Sequence, residues 1–587
     1  VVNEMNRQYP RPQLYRENIM LLDGKWLLDG DEINVPYPSQ SKLSGYSKDV
    51  PERFTYSKAF SVNELAFHED SRFILHFGAV DQIAKVYVND VLLGEHRGGY
   101  LSFQFDITNV INVDGINKIV VEVTDKLDLT YPYGKQCKKP HSMWYTPTSG
   151  IWKSVFLEVV SKEYISDVKI TPNDIFVRIS VDINSSVSHG ETNKNENDKV
   201  TYKVYEGVVL KPKEYDLYSY IQEDRLIYSK ESEGDVVIDE DVISDYLNEP
   251  YELKLWDEHS PTLYPVKITY KDDSIYTYIS FRNICIMNTD GVQRLCINDK
   301  PAFLHGVLDQ GYYVDGNMTP PDYMEYDRDI LRMKKLGFNT LRKHIKIEAA
   351  QFYYSCDRLG MYVVQDMVNS GKYHYVGDTI LPTFGGKYRR DDLRKNKDRE
   401  RKDFFITHCK DTIKELYNYP SILCYTIFNE GWGQFEADKL YDILTKEDPT
   451  RLYDSTSGWF HQKKSDFDSR HVYFKSKELH VVDKPLFLSE CGGFLYVVEG
   501  HISEGTSYGY GACPNENALT YKICEMYEEM VYPVIEEGMC GCIYTQLSDV
   551  ENEINGLYTY DRKRRKVIRK KMLEIRKRID EEISKLS

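Results

Sequence analysis

The chain has 587 residues, enough for about four domains, or two to three if one is a large barrel. Hydrophobic residues make up 41%, aromatics 13% and charged residues 28%, a globular composition that excludes a mostly disordered chain. Lys plus Arg number 75 against 92 Asp plus Glu, a net charge of −17, so nucleic acid and membrane surface are not expected partners.

Over roughly the first 160 residues short alternating runs recur. Phe73, Leu75 and Phe77 share one face, as do Ala84, Val86 and Val88, then Ile119, Val121 and Val123. Asn89-Asp90 and the glycines at 94, 98 and 99 supply turn chemistry between runs, so residues 1–165 read as an antiparallel β-sandwich or jelly roll. Strict alternation resumes with Ile175, Val177, Ile179, Val181 and Ile183, pauses over the polar Ser188–Lys199, and continues at Val200, Tyr202 and Val204. This predicts a second β domain over 166–283 with a long solvated hairpin loop. From 284 the rhythm becomes strand then helix: PAFLHGVLDQ, a helix near 326–336, FNTLRKH, a helix near 349–359, and MYVVQDM. SILCYTIFNE, RLYDSTSG, a strand near 471–474, PLFLSECGG and GCIYTQLSDV bring the count to eight strands, that of a (β/α)8 TIM barrel over 284–587 with interleaved helices. Ile568, Met572, Ile575, Ile579 and Ile583 form the buried stripe of a last, amphipathic helix. The basic Lys563–Lys566 is read as the surface start of that helix, and Lys387–Asp403 as a solvated helix start.

Eleven cysteines without a repeated ligand spacing fit reduced thiols and point to the cytoplasm. The first twenty residues lack a signal-peptide core, and the start at Val1 leaves a removed leader open. Cys540 and Cys542 read as strand packing rather than half a metal site.

In a barrel of this kind reacting groups sit at the C-terminal ends of the strands, and here those ends are polar. They carry Asp309-Gln310, Arg342 with His344, Gln365-Asp366, Asn429-Glu430, Ser489-Glu490, and Gln546 with Asp549. Glu430 and Glu490 each follow a short apolar strand, the fourth and the seventh, which face each other across the mouth. Two carboxyl groups across a pocket, one protonated and one ionised, are what glycosidic bond cleavage needs.

SGIWKSVFLE, LWDEHSPTLYPVKI, GVLDQGYY, LRKH, FNEGWGQF, SECGGF and TQLSDVENEINGLYTYDR, in this order, resemble glycoside hydrolase family 2 over nearly the whole chain. The resemblance implies a sugar-binding jelly roll, an immunoglobulin-like β-sandwich and the barrel. It implies a retaining exo-β-glycosidase, with Glu430 as acid/base and Glu490 as nucleophile, their carboxyl groups roughly 5 to 5.5 Å apart. By the same resemblance Asn429 holds the sugar 2-hydroxyl and Arg342 keeps the nucleophile ionised. His344, Asp309 and Asp366 are candidate hydroxyl ligands, Trp432 and Trp459 candidate stacking platforms, and Trp144 a candidate contact from the first domain.

Family β-glucuronidases carry an Asn-x-Lys pair after strand eight; EINGLYTYDR has no such lysine, which counts against a uronic acid substrate. The acidic and histidine-rich constellation of magnesium-dependent β-galactosidases is only partly present, so neither metal nor cofactor is expected. The reading is a β-galactosidase-like enzyme acting on a carbohydrate substrate. Arabinosidase, β-mannosidase or β-glucuronidase specificity, and a non-catalytic carbohydrate-binding relative, are the alternatives. Dimers and tetramers are common in the family, so homo-oligomerisation stays open.

Overall fold

The structure is a computed structural model that describes residues 9–173, 175–184, 199–374, 376–381, 398–473, 476–502 and 507–586. In the first module a six-stranded antiparallel sheet runs in the order Asp31–Val35, Gly24–Leu28, Arg53–Phe60, Asn117–Thr124, Ile83–Val88, Val91–Arg97. It faces a four-stranded sheet of Ile19–Leu21, Val155–Val160, Arg72–Phe77 and Phe103–Asp106. The alternating residues of the sequence form the core between them, with Leu75, Phe77, Val86, Ile119, Val121 and Leu157 all fully buried. Each such side chain contributes about 1.5–3 kcal/mol.

The second module packs a three-stranded sheet (Tyr164–Asn173, Phe176–Asn184, Val236–Asp239) on a four-stranded one (Leu226–Ser232, Val200–Tyr205, Tyr264–Tyr270, Asp273–Ile279). Residues 188–198 of the polar stretch lie outside the described residues. A helix that alternation does not announce, Glu240–Leu247, is started by the Asp239 carboxylate accepting from Val242 N and ended by Asn248 in the left-handed region. Trp256 of LWDEHSPTLYPVKI is buried and donates from Nε1 to Asp357 O at 2.8 Å, fastening this module to the barrel.

A small antiparallel sheet, Ile284–Thr289, Val292–Ile297 and Lys300–Pro301, precedes the barrel, where the sequence reading has the barrel begin directly. Eight parallel strands follow: Leu304–Asp309, Thr340–Lys343, Tyr362–Asp366, Ile422–Asn429, Leu452–Ser457, Asp468–Tyr473, Leu486–Gly492 and Met539–Thr545. Neighbours pair in that cyclic order except the fifth and sixth, which share no ladder among the described residues. Helices Met324–Lys334, Ala350–Leu359, Arg399–Leu416, Ala437–Glu447, Glu516–Met530 and Arg569–Ser584 form the outer layer. The interleaving is incomplete. Among the described residues no helix lies between strands five and six or six and seven. Those connections are short, Lys-rich, and lack a 3.6-residue apolar stripe.

Of the two charged stretches, one departs from its sequence reading. Most of Lys387–Asp403 lies outside the described residues. Lys566 is not surface: it is fully buried, ahead of the last helix, with Nζ 2.7 Å from Asp549 Oδ1. Its charge is needed there because Asp549 is itself buried.

Candidate active site

The fourth strand is buried from Ile422 to Asn429 and ends abruptly at Glu430, whose φ is +52°, followed by Gly431 at +73°. A Cβ on Gly431 would stand 2.5 Å from Phe460 Cδ2, so the turn admits only glycine there. A glutamate held in the left-handed region costs of order 1 kcal/mol or more, strain that marks a position fixed by its surroundings. Glu490 comes from the buried seventh strand. One carboxylate oxygen of each glutamate and one ring nitrogen of His471 lie within 4.8 Å of one another.

Arg342, fully buried on the second strand, organises the floor. Its Nη1 donates to Glu490 Oε1 at 3.1 Å and to Ser489 O at 2.9 Å. Nη2 donates to Asn429 Oδ1 at 3.1 Å and Ser457 Oγ at 3.0 Å, and Nε to Asp366 Oδ1 at 3.0 Å. Burial on its own would raise the Glu490 pKa, but the neighbouring His471, Arg342, His344 and Lys135 bring it down to about 2, so the carboxylate is ionised at neutral pH. Tyr473 donates its hydroxyl to the other oxygen, Glu490 Oε2. Asn429 accepts at Oδ1 from both Arg342 and Ser457 (2.7 Å from Oγ), which leaves its amide NH2 to donate.

Asp366 holds Arg342 Nε with one oxygen and His344 Nδ1, at 2.6 Å, with the other. Burial lowers the His344 pKa to about 4, so the ring is neutral, with its proton on Nδ1 facing Asp366. Its Nε2 is buried without a protein partner, an acceptor left for a ligand. Asp366 thus acts through Arg342 and His344. Asp309 is likewise engaged, accepting from Gly311 N at 2.9 Å and Lys343 Nζ at 2.7 Å. Lys343 also donates to Glu348 Oε1, at 2.9 Å, the same oxygen that Lys346 Nζ reaches at 2.7 Å.

The tryptophans divide. Trp432 is buried, donates from Nε1 to Gly371 O at 2.9 Å, and packs edge-on against Tyr133, Trp144 and Tyr373. No open face remains for a sugar on it. Trp459 is half-buried, with its ring 5.5 Å from His471. Trp144 comes from the first module and meets Trp432 at 5.1 Å. Beside it Tyr145 donates to Glu553 and Thr146 N to Glu551 at 3.0 Å, so the jelly-roll loop reaches the barrel mouth.

His471, Tyr473 and Ser457 are additions to the residues picked from sequence. His471 and Tyr473 stand two apart on the sixth strand, hence on one face, and the ladder register sets His471 beside Glu490 and Ser457 beside Asn429. The i, i+2 His-x-Tyr spacing in DSRHVYF was the available signal.

Two β modules ahead of a parallel eight-stranded barrel, with paired carboxyl groups at the ends of strands four and seven, define the class: a multidomain β plus TIM-barrel protein with a candidate site at the barrel mouth. The family models "Glycosyl hydrolases family 2, sugar binding domain" and "Glycosyl hydrolases family 2, TIM barrel domain" match residues 22–160 and 289–485, together more than half of the chain. The chain belongs to glycoside hydrolase family 2. It is 26% identical over 371 residues to a β-galactosidase of Thermoanaerobacter pseudethanolicus, covering 61% of this chain and 45% of that protein. It is 24% identical over 472 residues to a β-glucuronidase of Bacteroides fragilis, covering 75% of this chain and 61% of that protein. The chain thus spans about half the length of the curated relatives it matches. A solved β-D-glucuronidase of Dictyoglomus thermophilum shares the fold, with TM-score 0.70 at 17% identity over 97% of this chain and 98% of that one. A β-galacturonidase of Eisenbergiella tayi gives 0.67 at 16% identity, over 97% and 98%.

Proposed function

We propose that the protein is a retaining exo-β-glycosidase, β-galactosidase-like in specificity. The observation that carries it is the asymmetry of the carboxyl pair. Glu490 is held ionised by Arg342 and Tyr473, while Glu430 stands within 4.8 Å, oxygen to oxygen, on the opposite strand. That closeness suits a nucleophile and an acid/base on either side of one glycosidic bond, and leaves no room for the water that inversion requires. In the first step Glu430 gives its proton to the glycosidic oxygen as Glu490 attacks the anomeric carbon and the aglycone departs. Water, deprotonated by Glu430, then displaces Glu490 with a second inversion. The Asn429 amide donates to the sugar 2-hydroxyl and His344 Nε2 accepts from another hydroxyl. Trp459 is the candidate stacking face. The test is a panel of aryl β-galactoside, mannoside, glucoside, glucuronide, fucoside and α-arabinoside substrates. Turnover of one, abolished in Glu490→Ala and restored by azide with inverted product, supports the reading; silence across the panel with sugar still bound turns it to a non-catalytic binding protein.

A uronide reading has one observation of its own: Lys135, supplied by the jelly-roll loop, carries a positive field that reaches Glu490 and His344. Against it stands Glu553, buried in the stretch after strand eight, with one oxygen taking the Tyr145 hydroxyl and the other Asn555 Nδ2 at 3.0 Å. A buried carboxylate there repels a uronate. The β-galactoside and β-glucuronide arms of the panel separate the two.

A further inference from the structure

We propose that His471 is a positioning residue for the acid/base: its Nδ1–H grips one oxygen of Glu430 and grips it harder as that carboxyl ionises. The proposal rests on the glycosidase reading above. The imidazole lies between the two carboxyl groups, with Nδ1 2.8 Å from Glu430 Oε1 and Nε2 3.6 Å from Glu490 Oε1. Nε2 also stands 3.5 Å from Arg342 Nη1. A guanidinium only donates, so the nitrogen facing it is an acceptor, and the neutral ring carries its proton on Nδ1. That proton points at Glu430 Oε1, which leaves Oε2 to hold the acidic hydrogen. The ring cannot turn away, because Trp459 meets it edge-on at 5.5 Å and Gly458 lies so close that a Cβ there would be 2.8 Å from His471 Cγ.

The chemistry shifts one negative charge across this ring. Before reaction the charge is on Glu490, on the Nε2 side, and Glu430 is neutral. As the proton passes to the glycosidic oxygen and the Glu490 oxygen bonds to the anomeric carbon, Glu490 becomes a neutral ester and Glu430 an anion. The Nδ1–H···Oε1 bond becomes charge-assisted at that moment, so it stabilises the transition state more than the bound substrate. In the second step Glu430 takes a proton from water, the water oxygen bonds to the anomeric carbon, the ester C–O bond breaks and the charge returns to Glu490. The other charged and titratable groups facing this pair are Arg342, Asp366 and His344 on the second and third strands and their ends, and Asp454 and His461 on and after the fifth. Tyr473 lies on the same strand, Tyr510 after the seventh, and Lys135 on the jelly-roll loop.

The experiment compares wild type, His471→Asn, whose amide N–H replaces Nδ1–H, and His471→Gln, whose amide reaches only the Nε2 side. Each is assayed on a phenyl glycoside, which needs the acid, and on the 2,4-dinitrophenyl glycoside of the same sugar, whose departure does not. In His471→Gln kcat/KM should fall about 10- to 100-fold on the phenyl substrate and under about 3-fold on the activated one, with KM little changed. The basic limb of its pH profile should move upward, since the acid/base carboxyl loses a donor. His471→Asn should recover most of both. Equal losses on the two substrates with an unmoved basic limb, or His471→Asn no better than His471→Gln, overturn the proposal. So does 15N NMR of the wild type showing the proton on Nε2, a readout that needs no variant to fold. A wild type silent on every glycoside fails the glycosidase reading first, before any variant is compared.

Discussion

At the scale of single residues the site is governed by who accepts from Arg342. Its donors reach Asp366, Glu490, Ser489 O, Asn429 and Ser457, so one side chain fixes the proposed nucleophile, the proposed 2-hydroxyl ligand and, through Asp366, the tautomer of His344. Removing the cation leaves a buried carboxylate uncompensated, and burial then favours its neutral form. Arg342→Met is therefore expected to lower kcat/KM by about 10³-fold and to raise the Glu490 pKa from about 2 past its unperturbed value of about 4.3. The nucleophile must be ionised, so the acid limb of the pH–rate profile moves upward into the range near pH 5, while the wild type keeps an ionised Glu490 down to about 2. Profiles of kcat/KM for the two proteins check this. A variant with lost activity but an unshifted acid limb would separate Arg342 from the ionisation of Glu490.

At the scale of elements, the proposed activity depends on how the fourth strand stops. Ile422–Asn429 runs buried to its last residue, and Glu430 and Gly431 in the left-handed region turn the carboxyl into the mouth. Gly431→Ala adds a Cβ at positive φ and 2.5 Å from Phe460, so we expect a loss of about 1–3 kcal/mol in stability and, because the acid/base is displaced, roughly 10²-fold in kcat. Thermal melts and single-substrate kinetics on the same preparation test both parts. The loop from the first module is the second element that matters. Trp144 is half-buried and braces Trp432 and Tyr373. Trp144→Ala is expected to cost stability by about 1–3 kcal/mol and to raise KM more than it lowers kcat, since it removes a wall rather than a reacting group.

At the scale of the molecule, a short N-terminal segment ties the three modules together. Tyr9 OH donates to Glu158 Oε1 at 2.9 Å in the jelly roll, Gln13 Nε2 to Asn418 O at 3.1 Å in the barrel, and Gln13 Oε1 accepts from Thr277 in the second module. Arg16, nearly fully buried, bonds Asp273 Oδ2 at 2.9 Å and lies 3.6 Å from Glu158 Oε2. Arg16→Ala leaves the buried Asp273 carboxylate without its cation, while Glu158 keeps Arg11 and His76, and a loss of about 3–5 kcal/mol is expected. The measurement is the thermal transition, which should fall or split into two as the modules uncouple. Acid acts on the same scale through carboxyl groups whose pKa folding depresses. Burial opposes ionisation of Glu348, but Lys343 and Lys346 outweigh it and hold its pKa at about 2. A depressed carboxyl stabilises the fold above its unfolded pKa near 4.3, and that stability is lost as pH falls from there through about 2. Unfolding midpoints measured between pH 7 and 3 should decline only over the lower part of that range.

Much of this was legible in the residues. Period-two alternation marks the sandwich strands because one face of each must be buried, and short apolar runs ending in Asn-Glu or Ser-Glu mark barrel strands because their flanks are covered and their C-terminal ends open on the mouth. The lack of helices around the sixth strand among the described residues, the extra small sheet at 284–301 and the helix at Glu240–Leu247 were not, since each is set by what neighbouring elements leave uncovered. The same division holds in the site. Glu430, Glu490, Asn429 and Arg342 stand at strand ends that the chain announces by itself. That Trp432 is walled in, that Asp309 and Asp366 serve a lysine, an arginine and a histidine, and that His471 lies between the two carboxyl groups were decided only by tertiary structure. The sequence determines which groups a strand can offer and at which end. Closing eight strands into a ring, and laying a loop of the first module across its mouth, determines which of those groups meet, because contacts between residues tens or hundreds of positions apart leave no local pattern to read.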